Sequence, residues 1–410
     1  MAHLLTHFFP SNESFGYEAI RAAGYATCGA ADIGEIIAIC HNIPAGDEDL
    51  WLQEWKAAAD RAVANANTSL SRGNTVGARD AFLRASNYYR TAEFYRRQDP
   101  HHDQVAAAVA DASCDAFYKA AALMPHVTTR ITIPYEGTTL PGIMMRPDAG
   151  HEPRPLVIVN GGYDSTMEEV VYSVGAAALQ LGMNVLAFDG PGQASAVRKQ
   201  NLCFRHDWEK VVTPVVDYAI SQPFVDSSKL VLVGLSMGGY LAARASAFEH
   251  RFAAVVLNDG VYDFGSAFLS QLHKIKPSAL EVGAILVSHE HDDQVNAVIR
   301  EAAARDTGIK WALNNGKYVF GINSEAGVIR EAQKYTLKHV VEQINTPTLV
   351  LDAPDDHFLK GQPQELFGRM TCEKALISLT RDEGASIHCH AGAGSRLAQV
   401  VMDWLLERLN

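Results

Sequence analysis

The 410-residue sequence predicts a doubly wound α/β domain with a mostly parallel sheet, preceded by an N-terminal helical domain. Three observations carry this reading. Six short apolar runs, Leu156–Val159, Val185–Phe188, Leu230–Val233, Ala253–Leu257, Thr348–Leu351 and Ala375–Leu379, alternate with Gly-rich turns and helical stretches. Strands buried on both faces read this way. Thr128–Pro134 and Thr138–Arg146 instead alternate apolar and polar residues around Glu136-Gly137, the pattern of a hairpin. Before Pro125 the sequence has helical periodicity and no strand alternation.

Along the chain, Trp51, Trp55, Ala58, Ala59 and Val63 recur at three- and four-residue steps, as do Phe82, Ala85, Tyr89 and Ala92, so residues from Asp47 to about Met124 are expected to be helical. Ser71-Arg72-Gly73-Asn74 breaks two of these helices, and Pro100 with two histidines ends the next. This places a helical domain at residues 1–126 and a catalytic domain at 127–410. The aromatic residues Phe82, Tyr88, Tyr89, Phe94 and Tyr95 have core spacing, with a pocket lining as the alternative. The basic stretch from Tyr89 to Arg97 contains Glu93 and reads as an inter-helix or solvated face. After Asp259 the strand rhythm stops until Pro347. The intervening segment is expected to be a helical cap over the strand ends at about 260–345, with turns at Pro277 and Asn314-Asn315-Gly316.

Composition excludes several classes of function. A net charge of −12 opposes binding to nucleic acid or anionic membrane surfaces. No apolar run approaches the roughly 18–20 residues that cross a bilayer, and MAHLLTHFFP lacks the features of a secretory signal, so a cytoplasmic protein is expected. The six cysteines form no C-x-x-C pair, which argues against disulfides or structural zinc and for buried thiols. His101-His102-Asp103 and His289–Asp293 lack the spacing of metal ligands, and no metal is expected.

The chemistry concentrates at Gly234-Leu235-Ser236-Met237-Gly238, which follows an apolar strand and opens an Ala-rich helix. Glycines must flank a serine on so tight a turn, and its hydroxyl is left exposed at the helix N-terminus, a nucleophile elbow. In the α/β-hydrolase fold that such an elbow marks, the order is Ser, acid, His. The strand ending Asp352-Ala353-Pro354-Asp355-Asp356 offers the acid: Asp356 by its place in the turn, Asp355 as runner-up, with Asp352 still at the strand end. Asp259, ending an earlier strand, is an alternative acid or a substrate contact. His388 is the expected base, with its neighbour His390 as second shell or substrate-facing; His357 precedes the last strand and fits less well. Donors for a developing oxyanion are expected from the Met237 N–H and from the loop Asn160-Gly161-Gly162-Tyr163, by Tyr163 or failing that Gly162. Asp189-Gly190-Pro191-Gly192-Gln193 is expected to shape the pocket.

The run Ala78–Glu93 (ARDAFLRASNYYRTAE), the loop Asn160–Thr166, Asp189–Gln193, Gly234–Gly239 and His388-Cys389 together resemble one family of α/β-hydrolases over roughly residues 50–410. It is the family of dihydroxypseudooxynicotine hydrolase and of the fungal naphthopyrone-forming, polyketide-shortening hydrolases. The resemblance implies a serine hydrolase without cofactor, a homodimer whose helical domain closes the site. It also implies cleavage of a carbon–carbon bond next to a ketone in a small-molecule substrate, and carries the triad over as Ser236, Asp356 and His388. The sequence departs from the family pattern where Ala194 follows Gln193 in place of glycine and where three acids crowd the triad turn. Ester, lactone or thioester hydrolysis, acyl transfer to an alcohol, and a non-covalent cyclase or dehydratase role are the rival readings. A pure binding module is the third class.

Overall fold

In the computed structural model, which describes residues 4–275, 289 and 292–409, eight strands form one sheet in the order β1-β2-β4-β3-β5-β6-β7-β8. They are β1 (Val127–Tyr135), β2 (Thr138–Arg146), β3 (Arg154–Asn160), β4 (Asn184–Phe188), β5 (Val225–Leu235), β6 (Ala254–Asn258), β7 (Thr348–Asp352) and β8 (Lys374–Ser378). The β1–β2 hairpin and the β2–β4 pairing are antiparallel, and every later pairing is parallel. All eight coincide with the expected runs. The period of two explains the layers: Leu230 and Leu232 of β5 join one core cluster, whereas Val231 and Val233 join the cluster on the opposite face.

Five helices precede the sheet: α1 (Glu13–Gly24), α2 (Ile33–His41), α3 (Glu48–Ser71), α4 (Thr75–Glu93) and α5 (Gln104–Ala121). Trp51, Trp55, Tyr88 and Phe15 form their common core. The basic stretch is an inter-helix face. Arg90 is buried and reaches Glu18 of α1 at 3.0 Å, and Arg97 is buried against Glu93.

Beyond β6 come α11 (Phe264–Ile275), α12 (Asp292–Ala303), α13 (Thr307–Phe320) and α14 (Glu325–Ala332), numbered after five helices that lie between the strands: α6 (Met167–Val170), α7 (Ala176–Gln180), α8 (Ala194–Gln200), α9 (Glu209–Ile220) and α10 (Met237–Ser246). The turn expected at Asn314-Asn315-Gly316 does not exist, because those residues lie inside α13. Tertiary packing overrides the turn chemistry here. A Cβ on Gly316 would lie 2.5 Å from Tyr163 Oη, and the Asn315 amide is occupied by Tyr163 and Arg97. Pro277, the other expected turn, lies outside the described residues.

All six cysteines are free, and only Cys40 is fully buried; the expectation of mostly buried thiols is corrected to half-buried ones. Among the described residues no helix is long and apolar enough to cross a membrane.

Candidate active site

Ser236 links β5 to α10 with φ 59° and ψ −128°, a strained conformation held by its neighbours. A Cβ on Gly234 would lie 2.1 Å from Gly238 O, and one on Gly238 would lie 2.6 Å from Asn160 O, so only glycine fits on either side. The exposed hydroxyl meets the C-terminal part of the chain. Ser236 Oγ is 2.8 Å from His388 Nε2, and His388 Nδ1 is 2.7 Å from Asp356 Oδ2. The other Asp356 oxygen accepts the N–H groups of Phe358 and Leu359, which fixes the carboxylate after β7.

Burial alone would lower the His388 imidazole, but the Asp356 charge outweighs it, helped by Cys389, Tyr17 and Asp259, and the group lies well above its usual value. Burial likewise acts to raise Asp356, and the His388 charge overcomes it and holds the carboxyl well below the usual range.

The other candidate acids separate. Asp259 joins the series, with Oδ2 3.0 Å from His388 Nδ1. Asp355 does not: its carboxylate is paired with the Arg381 guanidinium and accepts the Ser386 hydroxyl, which ties down the β8 loop and corrects its candidacy as acid or substrate contact. Asp352 stays at the strand end and accepts the Ser378 hydroxyl. His390 lies behind Asp259, its Nδ1 donating to Ala385 O and its Nε2 3.8 Å from Asp259 Oδ1.

The candidate oxyanion loop crosses next to the serine, since a Cβ on Gly162 would lie 2.9 Å from Ser236 Cβ. The Gly162 N–H donates to Ser165 Oγ at 2.9 Å, so this fallback donor is already engaged and Tyr163 is left as the loop's candidate. Gln193 Nε2 donates to the carbonyls of Gly161 at 2.7 Å and Gly162 at 3.3 Å. The Asp189 carboxylate accepts the N–H groups of Met167 and Ser195. This turn therefore shapes the site from behind.

A cavity of about 670 Å³ opens on Ser236 and His388, walled by Tyr17, Phe94, Tyr163, Phe264, Trp311 and Phe358 among others. Of the five aromatic residues singled out in α4 and after it, only Phe94 reaches this cavity, where it stacks on Trp311 at 4.4 Å. Within the expected helical domain, the sequence reading identifies no helix before Asp47 and so does not find α1 (Glu13–Gly24). Tyr17 and Arg21 from that helix line the cavity, and Arg21 is locked to Glu169 and Asp164. The signal was present in the Asn12 cap and in Phe15, Ala19 and Ala22 at helical spacing.

Asp259, His388 and Cys389 place one ligand atom each within 4.8 Å, the described group that could hold a metal ion. Hydrogen bonds already account for it, because both His388 nitrogens are engaged and Asp259 Oδ2 accepts the Cys389 N–H.

The FrsA-like family, described as esterase FrsA-like, matches residues 46–293. The chain is 34% identical to Hydrolase LUC6 of a Fusarium species over 97% of both chains. It is 31% identical to the 20-hydroxy-prefusarin hydrolase FUS2 of Gibberella moniliformis over 96% of both. The solved structure of 2,6-dihydroxy-pseudo-oxynicotine hydrolase superposes with a TM-score of 0.72 at 20% identity, covering 94% of this chain and 95% of that one, which shows a common α/β-hydrolase fold.

Proposed function

Because the chain belongs to the FrsA-like esterase family, we propose that it is a cofactor-independent serine hydrolase that cleaves a carbon–carbon bond next to a ketone in a polyketide-like or aromatic diketone. The observation that carries this reading is the hydrogen-bonded series Ser236 Oγ, His388 Nε2 and Nδ1, Asp356 Oδ2 at 2.8 and 2.7 Å. A serine hydroxyl becomes a nucleophile at neutral pH only with such a base, and the base needs an orienting acid.

In this reading His388 takes the Ser236 proton as Oγ adds to the ketone carbonyl. The N–H groups of Met237 and Tyr163 hold the oxyanion, each worth about 10²–10³ in rate. Collapse breaks the bond to the α-carbon. The electron pair leaves as an enolate, its charge spread onto the second carbonyl, and takes the proton from His388. Water, deprotonated by the same imidazole, then releases the acid from Ser236. Once His388 has taken the proton, the carboxyl groups of Asp356 at 2.7 Å and Asp259 at 3.0 Å from Nδ1 hold the imidazolium until the carbon leaving group is protonated. The same reading takes residues 1–126 as a helical domain closing the site of the catalytic domain at 127–410.

Ester, lactone or thioester hydrolysis is the second reading, favoured by the family description. It uses the same parts with an oxygen or sulfur leaving group. Turnover of candidate β-diketones in ¹⁸O-water, with both fragments followed by mass spectrometry, separates the two. The proposal expects an acid carrying one ¹⁸O from solvent and a ketone fragment with a new C–H bond. An alcohol or thiol product would favour the second reading. Unchanged product formation by Ser236→Ala would overturn both.

A further inference from the structure

Asp259 lies one residue beyond the end of β6 and is sealed from solvent at 0% exposure. Its Oδ2 is 3.0 Å from His388 Nδ1 and accepts the Cys389 N–H at 3.0 Å, while its Oδ1 has no hydrogen-bond partner. His388 Nδ1 carries one hydrogen, and Asp356 Oδ2 is the closer acceptor at 2.7 Å. Two buried carboxyl groups facing one imidazole cannot both ionise cheaply. Burial, and after it the Asp356 charge, pushes Asp259 above the usual carboxyl range, whereas Asp356 is held below it. The groups facing the pair are His388, Cys389 and His390 on one segment, His357 beside Asp356, and Tyr17 from α1.

We propose that Asp259 is a reserve positioning residue for His388: it shares a single negative charge with Asp356, holds the proton while Asp356 is ionised, and releases that proton to orient Nδ1 when Asp356 is lost. The pair keeps one carboxylate on Nδ1 in either arrangement, so the imidazole stays oriented and its proton affinity stays high. The proposal rests on the reading of Ser236 as nucleophile.

The test is the rate of Ser236 labelling by a fluorophosphonate as a function of pH, followed by intact mass, which needs no substrate. It compares wild type with Asp356→Asn, Asp259→Asn and the double variant. Removing a sole orienting carboxylate costs about 10⁴-fold in serine proteases. Asp356→Asn is expected to lose only about 10–100-fold, because the ionised Asp259 takes over, and its titration midpoint stays within about one pH unit of wild type. The double variant is expected to lose about 10⁴-fold, more than the product of the two single losses. Its midpoint falls to or below the ordinary imidazole value of about 6.5. The proposal is overturned if Asp356→Asn alone matches the double variant in rate and midpoint. Should the double variant not fold, the Asp356→Asn rate decides: a loss approaching about 10⁴-fold overturns the proposal, and a loss of about 10–100-fold supports it. Wild type that resists labelling, or Ser236→Ala that labels as fast, defeats the nucleophile reading instead.

Discussion

The side-chain amide of Asn315 donates to the carbonyl oxygen of Tyr163 at 3.0 Å, tying the middle of α13 to the loop beside Ser236. Its Oδ1 accepts in turn from Arg97 Nε at 3.1 Å, and Arg97 is paired with Glu93. All three side chains are buried. The loop of Tyr163 beside Ser236 is thus braced by a residue far from the elbow.

Asn315→Ala is expected to leave the Tyr163 carbonyl and the Arg97 fork without this partner, costing about 1–3 kcal/mol of stability for a buried unsatisfied group. The loop loosens as well, so kcat should fall by about tenfold with KM little changed, the signature of an interaction felt in the transition state. Thermal unfolding and steady-state kinetics on one preparation check both. An unaltered kcat would remove Asn315 from any part in bracing the site.

Gly316→Ala pits two effects against each other. Alanine in a helix interior gains about 1 kcal/mol over glycine. Here, however, the added Cβ would lie 2.5 Å from both Tyr163 Oη and Val328 Cγ1, and overpacking a buried contact costs about 1–3 kcal/mol. The Tyr163 hydroxyl also donates to Ala312 O at 2.9 Å and has little freedom to yield. The expected outcome is a lower Tm and slower labelling of Ser236; a raised Tm would show that propensity wins.

That glycine also marks the limit of what the sequence discloses. Strand positions were legible because a buried strand needs an unbroken apolar run, and Leu230–Val233 supplies one. The Ser236 elbow was legible because Gly234 and Gly238 are demanded by sterics within the same five residues. Asn314-Asn315-Gly316 reads locally as a turn, yet those residues serve contacts with Tyr163, Arg97 and Val328, more than a hundred residues distant in some cases. Asp355 and Asp356 are adjacent and chemically identical, so only the geometry of the loop sends one to Arg381 and the other to His388. Tyr17 and Arg21 sit on a helix whose place on the cavity wall depends on the folded whole.

Glu168 and Asp189 form a second buried acid pair behind the candidate oxyanion loop. Burial and then the Glu168 charge raise Asp189 to about 7, and burial raises Glu168 as well. A carboxyl raised on folding binds its proton more tightly in the native state, so stability is lost as pH rises from the unfolded value of about 4 through the native one. Glu168→Gln removes one member of the pair. Relative to wild type its Tm should rise at pH 8, where repulsion within the pair is greatest, and the difference should shrink as pH falls through about 7, where Asp189 regains its proton in the native state. Differential scanning calorimetry across this range checks the sign. A difference independent of pH would mean that charge repulsion plays no part.

Gln193 brings the sharpest contrast between two substitutions at one site. It is buried, its Oε1 accepts the Gly190 N–H at 2.8 Å, and its Nε2 donates to the carbonyls of Gly161 and Gly162. The Gly162 carbonyl belongs to the same peptide as the Tyr163 N–H, so holding one end aims the other. In Gln193→Ala, water can enter the vacated space and satisfy the two carbonyls, and a loss of about tenfold in Ser236 labelling is expected. Gln193→Glu keeps the acceptor for Gly190 but turns a carboxylate toward two carbonyl oxygens. Repulsion then displaces the peptide, and the loss should reach about 10²-fold, the scale of one oxyanion donor. Acidification distinguishes this cause from general damage. A buried glutamic acid regains its proton readily and can donate again, so the ratio of the Gln193→Glu rate to the wild-type rate at the same pH should rise as pH falls from 8 to 6, while the Gln193→Ala ratio stays flat. Equal, pH-independent losses in the two variants would show that Gln193 fills space without aiming the peptide.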